Sequence, residues 1–207
     1  MIETASRAAT FPKLKILSGK TGQMKKNPQI CDNQPWHMQN ESRHLILDNR
    51  QITQKIRRIA FEICERNFEE KEIIVAGIAP QGYLFAELLL GELKQILPIT
   101  WKLVKLNIDK QNPATSPVTL DVPTEQLHGK TIILADDVLY TGRTFCFAIR
   151  SILDVHPKRL QTAVIVDRGH QEFPIAADYV GYALSTTVRQ HVDVDLDNPG
   201  QLAVYLR

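Results

Sequence analysis

The sequence predicts an α/β fold, a mostly parallel sheet flanked by helices on both faces. Three observations predict it. Short Ile- and Val-rich runs alternate along the chain with longer stretches of helical periodicity. The best of those runs are apolar without interruption, as strands covered on both faces are. Three polar, Gly-containing loops, at residues 79–82, 136–144 and 167–170, follow strand runs. Open α/β sheets bind their ligands at such strand ends.

Taken in order, Asp48 followed three residues later by Gln51 is a helix-start signal, and Ile52, Ile56, Ile59 and Ile63 continue it as one apolar stripe to about Arg66. Residues 72–78 form an Ile/Val strand that ends at Ala79, Pro80, Gln81 and Gly82. Residues 83–96, rich in Leu, Ala and Glu, predict a largely buried helix. A strand at 99–108 carries Lys102 and Lys105 among apolar positions. Residues 107–117 are polar, contain Pro113 and Pro117, and predict a mobile loop. After a turn at His128, Gly129 and Lys130 comes a strand leading into Asp136 and Asp137, then a helix over about 143–155. The strand at 160–166 ends at Asp167, Arg168, Gly169 and His170. Shorter strands are expected at 178–183, 191–196 and 202–206.

The chain of 207 residues suits one domain of ordinary size, with 43% hydrophobic and 23% charged residues. No run approaches the roughly 18 apolar residues of a membrane span, and the N-terminus lacks the apolar stretch of a secretory signal. Cys31, Cys64 and Cys146 are odd in number and widely spaced, which points to a reducing, cytoplasmic setting rather than a disulfide or metal framework. Residues 1–42 lack sustained periodicity and are expected to form a poorly ordered extension, with Met38 as an alternative start and residues 43–207 as the folded domain. This extension holds six of the 25 basic residues and three of the 23 acidic ones, so the remainder carries one more acid than base. Charge therefore gives no general support for nucleic-acid binding.

The most informative stretch is Ile132-Ile133-Leu134-Ala135-Asp136-Asp137-Val138-Leu139-Tyr140-Thr141-Gly142-Arg143-Thr144. Two carboxylates at a strand end can accept hydrogen bonds from vicinal ribose hydroxyls or hold a hydrated Mg²⁺. Thr141, Gly142, Arg143 and Thr144 then open a helix, where backbone N–H groups and hydroxyls suit a phosphate. A buried strand ending in a solvated acidic turn is the alternative that spacing alone leaves open.

This string resembles the phosphoribosyl-pyrophosphate (PRPP) motif of type I phosphoribosyltransferases. With Val138-Leu139-Tyr140 between the acidic pair and Thr141-Gly142-Arg143-Thr144, it is similar to the pyrimidine operon attenuators that double as uracil phosphoribosyltransferases. The stretch from Val166-Asp167-Arg168-Gly169-His170 to Asp178-Tyr179 is similar to the same branch. The resemblance spans residues 45–207. It implies the type I phosphoribosyltransferase fold with a small C-terminal hood, PRPP and a pyrimidine base as ligands, Mg²⁺ with the pyrophosphate, and a homodimer or larger assembly. It implies that Asp136 and Asp137 serve the ribose and the catalytic step, and that Val138, Leu139, Tyr140, Thr141, Gly142, Arg143 and Thr144 serve the 5′-phosphate. Ala79, Pro80, Gln81 and Gly82 correspond to the pyrophosphate loop. Asp167, Arg168, Tyr179 and Val180 correspond to the base side, where Tyr179 is either a stacking aromatic or a core residue. Asp197 corresponds to a metal-contacting carboxylate, although Asp193, Asp195 and Asp197 also fit a solvated acidic strand edge.

Two departures from the family pattern stand out. The loop at 79–82 lacks the usual cation, and the stretch Lys110-Gln111-Asn112-Pro113 lacks the usual Arg, leaving Lys105 and Lys110 as candidate replacements. Losing one charge-assisted contact to a departing pyrophosphate commonly costs ~10²-fold in rate. Three readings follow: a uracil phosphoribosyltransferase, a catalytically weak sensor of UMP or another nucleoside monophosphate, and an RNA-binding attenuator.

Overall fold

The structure, a computed structural model, describes residues 43–185 and 190–207. The expected N-terminal extension and the alternative start at Met38 lie outside the described residues.

Strand β1 (His44–Leu47) enters helix α1 (Asn49–Arg66) through a full capping box. Asp48 accepts from the Gln51 N–H, and the Gln51 side chain accepts from the Asp48 N–H. The stripe Ile52, Ile56, Ile59 and Ile63 is buried. Strand β2 (Glu72–Ile78) follows, then helix α2 (Gln81–Ile96), strand β3 (Thr100–Asn107) and a two-residue strand β4 (Thr119–Leu120). After a 3₁₀ turn (Thr124–Leu127) come β5 (Thr131–Leu139), α3 (Arg143–Leu153), β6 (Arg159–Asp167), β7 (Tyr179–Ala183), β8 (Val192–Asp195) and β9 (Ala203–Leu206). Helix α2 starts two residues before its expected position because Pro80 acts as its N-cap, leaving Gln81 and Gly82 in the first turn.

Six strands form one sheet in the order β4-β3-β2-β5-β6-β7, parallel except for β4. Alternation along each strand divides the core in two. Ile73, Val75, Ile133 and Ala135 face α1 and α2; Ile74, Ala76, Ile132 and Leu134 face α3 with Phe145, Ala148 and Ile152. Each such fully buried Ile or Leu contributes about 1.5–3 kcal/mol of apolar burial. The second sheet, β1-β9-β8, is antiparallel. The expected C-terminal hood is thus completed by β1, which pairs with β9 in a register linking His44 to Leu206.

Sheet order fixes where the site opens. From β2 the chain goes outward to β3, then returns to place β5 on the other side of β2, so the winding direction reverses between β2 and β5. Pairing of β5 with β2 stops at Gly77 opposite Ala135, whereas pairing with β6 runs on to Leu139 opposite Asp167. Residues 136–139 therefore have a strand on one side and an open crevice on the other. The carboxylates are expected at the strand end, and the structure extends the strand two residues past them. Asp136 and Asp137 lie within β5, because Val138 and Leu139 continue the pairing with β6.

Two glycines let α2 approach this crevice. A Cβ on Gly77 would lie 2.5 Å from the Tyr83 Cα, and one on Gly82 would lie 2.6 Å from Asp136 Oδ1 and 2.8 Å from the Ala135 carbonyl oxygen. Any larger residue at either position forces the helix off the sheet.

Candidate functional site

The two carboxylates of β5 converge on one ammonium, that of Lys110, yet their burial differs. The Asp136 side chain is 3% exposed and that of Asp137 16%. Asp136 Oδ1 accepts the Asp137 N–H at 3.0 Å and the Lys110 ammonium at 2.9 Å; Lys110 also lies 3.5 Å from Asp137 Oδ1. Burial, and then the neighbouring Asp137 charge, push the Asp136 carboxyl well above the ordinary range, while Lys110 pulls it back. Lys110 is held above its ordinary value: its burial opposes the charge, but Asp136 and Asp137 outweigh that effect.

Beyond the pair, the chain turns at Gly142, whose φ of +81° favours glycine. A Cβ there would also meet the Ile175 Cβ at 3.2 Å. Helix α3 begins without a side-chain N-cap on Gly142, so its first N–H groups face the turn. The turn is pinned from behind: the Thr141 carbonyl accepts from the Glu172 N–H at 2.9 Å and the Phe173 N–H at 3.0 Å. Thr141 Oγ1 accepts from the Arg143 N–H at 3.3 Å. Residues 138–145 line a cleft of about 440 Å³ together with Lys110, Glu172 and His191. Such a cradle of amides, hydroxyls and a helix N-terminus suits a phosphate monoester. All seven residues from Val138 to Thr144 assigned from sequence to the 5′-phosphate lie here.

On the β6 side, the Arg168 guanidinium stacks on the Tyr140 ring at 3.8 Å, and His170 meets that ring edge-on at 6.2 Å. Arg168 is 2% exposed and donates to the Gln190 carbonyl. Burial lowers its pKa and Tyr140 opposes the shift; a guanidinium stays charged regardless. The Asp167 carboxylate closes its own turn, accepting from the Gly169 N–H and the Gln171 amide, each at 2.9 Å. Arg168, Tyr140 and His170 thus form the wall next to the cradle, with Asp167 as its brace.

Tyr179 and Val180 are not brought to this wall. The parallel register pairs Ala163 with Tyr179 and Asp167 with Ala183, so both stand at the start of β7, away from the ligand end of the sheet. The Tyr179 ring is fully buried in the α1 face of the core, near the Asn67 amide (3.4 Å) and under the Arg66 guanidinium (5.0 Å). Of the two roles open from sequence, the structure supports the core one. The Val180 carbonyl accepts from Arg58 of α1. Lys105 is likewise not at the acidic pair; its ammonium lies over the Tyr83 ring at 5.4 Å. The 107–117 stretch, expected as a mobile loop, holds a compact turn around Asp109, described below.

Ala79, Pro80, Gln81 and Gly82 carry no cation, and the Gln81 amide nitrogen lies 3.5 Å from Asp197 Oδ2. A second cleft, about 390 Å³, opens between Asp137, Gln81 and the hood. Its hood side carries Asp193, Asp195, Asp197, His191, Arg43 and Arg207. Asp193 is taken up by both arginines, with Arg43 at 3.2 Å. Asp195 and Asp197 border the cleft opposite Asp137. Among the described residues no group of three or more His, Cys, Asp or Glu side chains is close enough to hold a metal ion. The donor set fits a Mg²⁺ bound mainly by diphosphate and water oxygens with one or two carboxylates, Asp137 foremost, and does not fit a resident protein-held ion.

Sequence reasoning placed His170 in a ligand-end loop without giving it a role, and missed Glu172, His191 and Gln190 as parts of the site. The 166–179 stretch signalled some of them as a block without revealing that it folds back under Thr141. Gln190 and His191 lead into β8, a strand whose destination no local pattern discloses.

Residues 42–199 match the family described as phosphoribosyl transferase domain. Among curated proteins, the bifunctional protein PyrR of Bacillus pumilus is 37% identical over 180 residues, covering 80% of this chain and 98% of the relative. The bifunctional protein PyrR of Pelotomaculum thermopropionicum is 42% identical over 159 residues, covering 73% of this chain and 87% of the relative. Among solved structures, a hypoxanthine-guanine phosphoribosyltransferase of Bacillus anthracis superposes with a TM-score of 0.61 at 20% identity, covering 77% of this chain and 96% of that one. A hypoxanthine phosphoribosyltransferase of Trypanosoma cruzi gives 0.64 at 15% identity, covering 78% and 95%. The structural matches establish the fold; the sequence matches establish descent. This chain belongs to the type I phosphoribosyltransferase family, on the branch that includes the PyrR proteins.

Proposed function

We propose that this protein binds PRPP and nucleoside 5′-monophosphates and transfers the phosphoribosyl group to a pyrimidine base, converting uracil to UMP. The observation that carries this reading is one continuous strand–turn–helix that sets two carboxylates beside a Gly142-centred cradle, at the crevice where the sheet reverses direction. In the reaction the bond from ribose C1 to the pyrophosphate oxygen breaks, the bond from C1 to the base nitrogen forms, and the base nitrogen loses its proton. Asp136 and Asp137 accept the ribose hydroxyls and place negative charge near a cationic C1. Thr141, Gly142, Arg143 and Thr144 hold the 5′-phosphate and so fix the distance of C1 from the base. Tyr140, Arg168 and His170 form a rigid wall on the base side. Asp137, and Asp197 across the cleft, would hold a Mg²⁺ arriving with PRPP, which would supply charge neutralisation at the diphosphate. The resemblance carries a homodimer or larger assembly with it, and exposed Phe61 and Phe68 offer apolar surface for one. No helix among the described residues is long and apolar enough to cross a membrane.

A second reading, a nucleotide sensor with slow transfer, is favoured by the cation-free loop at 79–82 and by Lys110 resting on the carboxylates. Incubation with PRPP, Mg²⁺ and uracil distinguishes the two. UMP formation supports the transferase; absence of turnover with any common base, alongside calorimetric UMP binding, supports the sensor. RNA binding, implied by the attenuator resemblance, predicts salt-dependent retention on a pyrimidine-operon leader, with affinity falling steeply as salt rises.

A further inference from the structure

Lys110 reaches the acidic pair from a built turn. The Asp109 carboxylate accepts the N–H groups of Gln111 (2.9 Å) and Asn112 (3.2 Å) and lies 3.4 Å from the Ser116 hydroxyl. The Asn112 carbonyl accepts from the N–H groups of Thr115 and Ser116, each at 3.2 Å, and Pro113 is buried. This turn aims the side chain between two places. Its ammonium contacts Asp136 Oδ1 and Asp137 Oδ1, and it also lines the cleft over residues 138–145.

Those contacts set up a competition. Asp136 Oδ1 already accepts two donors, Lys110 and the Asp137 N–H, so a ribose hydroxyl that reaches this oxygen competes with the ammonium. An unphosphorylated riboside offers Lys110 nothing in exchange. A 5′-phosphate in the Thr141–Thr144 cradle offers it a dianion within the same cleft.

We infer that Lys110 is a specificity-determining residue, an internal counter-ion that occupies the sugar subsite until a 5′-phosphate in the cradle draws it away. Phosphorylated ribosides are thereby admitted and unphosphorylated ones held out. The inference rests on the reading of residues 136–144 as a ribose 5-phosphate site.

Calorimetric titration of the wild type, Lys110→Ala and Lys110→Gln with UMP and with uridine tests it. Loss of the ammonium should strengthen uridine binding by ~10-fold, the scale of one charge-assisted contact at a half-exposed site, while UMP binding stays equal or weakens. The UMP-to-uridine preference therefore shrinks in both variants. An unchanged or weaker affinity for uridine in both variants, with UMP still bound by the wild type, overturns the role given to Lys110 and leaves the site reading intact. Failure of the wild type to bind UMP overturns the site reading, and the inference falls with it.

Discussion

The proposed sugar-phosphate half of the site is made by one continuous segment, β5 and the turn into α3, with Lys110 reaching in from the β3–β4 loop, whereas the proposed diphosphate half is assembled from the 79–82 loop and the acidic hood edge. The first half relies on backbone amides and on carboxylates fixed by a strand paired with β6. The second relies on side chains from elements far apart in sequence, and its two described arginines, Arg43 and Arg207, are engaged with Asp193. A site made of backbone tolerates sequence drift; one made of dispersed side chains changes with each substitution. This difference explains how the nucleotide half can keep the family pattern while the pyrophosphate half departs from it.

The largest effect that would break this contrast is expected at Asp137. Asp137→Asn should lower transferase turnover by ~100-fold or more, since it removes charge from the transition state as well as a ribose contact. Steady-state kinetics with PRPP and uracil measure it; a loss below threefold would place the chemistry elsewhere. Next, Gln81→Arg restores a cation beside Asp137 and Asp197. PRPP affinity should rise by ~10-fold with UMP affinity unchanged, if the missing cation is what weakens the diphosphate half. Parallel titrations with the two ligands show whether the halves are separable. Tyr179→Phe should leave turnover unaltered and reduce stability by about 1 kcal/mol, the net worth of a buried hydrogen bond, in denaturant unfolding. A drop in affinity for the base would restore Tyr179 to the site.

The smallest effect concerns the hood. Hydrogen bonds from Arg207 and then Arg43 hold the Asp193 carboxyl below its ordinary range, against an opposing burial effect. A depressed carboxylate contributes stability above the unfolded value near ~3.9 and loses it as pH falls through the folded value. Hood anchorage should therefore be flat near neutrality and weaken only below about pH 4, and Asp193→Asn should remove that acid limb. Half-exposed pairs of this kind are worth at most about 1 kcal/mol.

Much of this organisation was legible in the residues, and what was not has identifiable reasons. The capping box at Asp48, the Ile stripe of α1 and the Gly142 turn are local and appeared where expected. The fate of Asp136 and Asp137 within the strand depended on the β2 pairing ending at Gly77 while the β6 pairing ran on, a matter of where each neighbour leaves β5. Strand β1 has no alternation of its own and exists because β9 returns to it. Tyr179 illustrates the same limit: an aromatic at a strand start carries no mark of which end of the sheet, or which face, it will occupy. Lys105 and Lys110 looked equivalent in sequence; β3 sends one against Tyr83, and the turn after it sends the other to the acidic pair.

One carboxylate, that of Asp109, gathers three donors of its own loop, and the residue it aims lies immediately next to it. The loop at 109–116 is consequently a cassette with its own hinge pin, bounded by β3 and β4 and owing its shape to interior bonds. Exchanging that cassette for one with a different residue at 110 would retune which ligands the pocket accepts while the sheet beneath stays as it is. On the role proposed for Lys110, selectivity becomes a graftable property of a short surface turn, separable from the strand that carries Asp136 and Asp137.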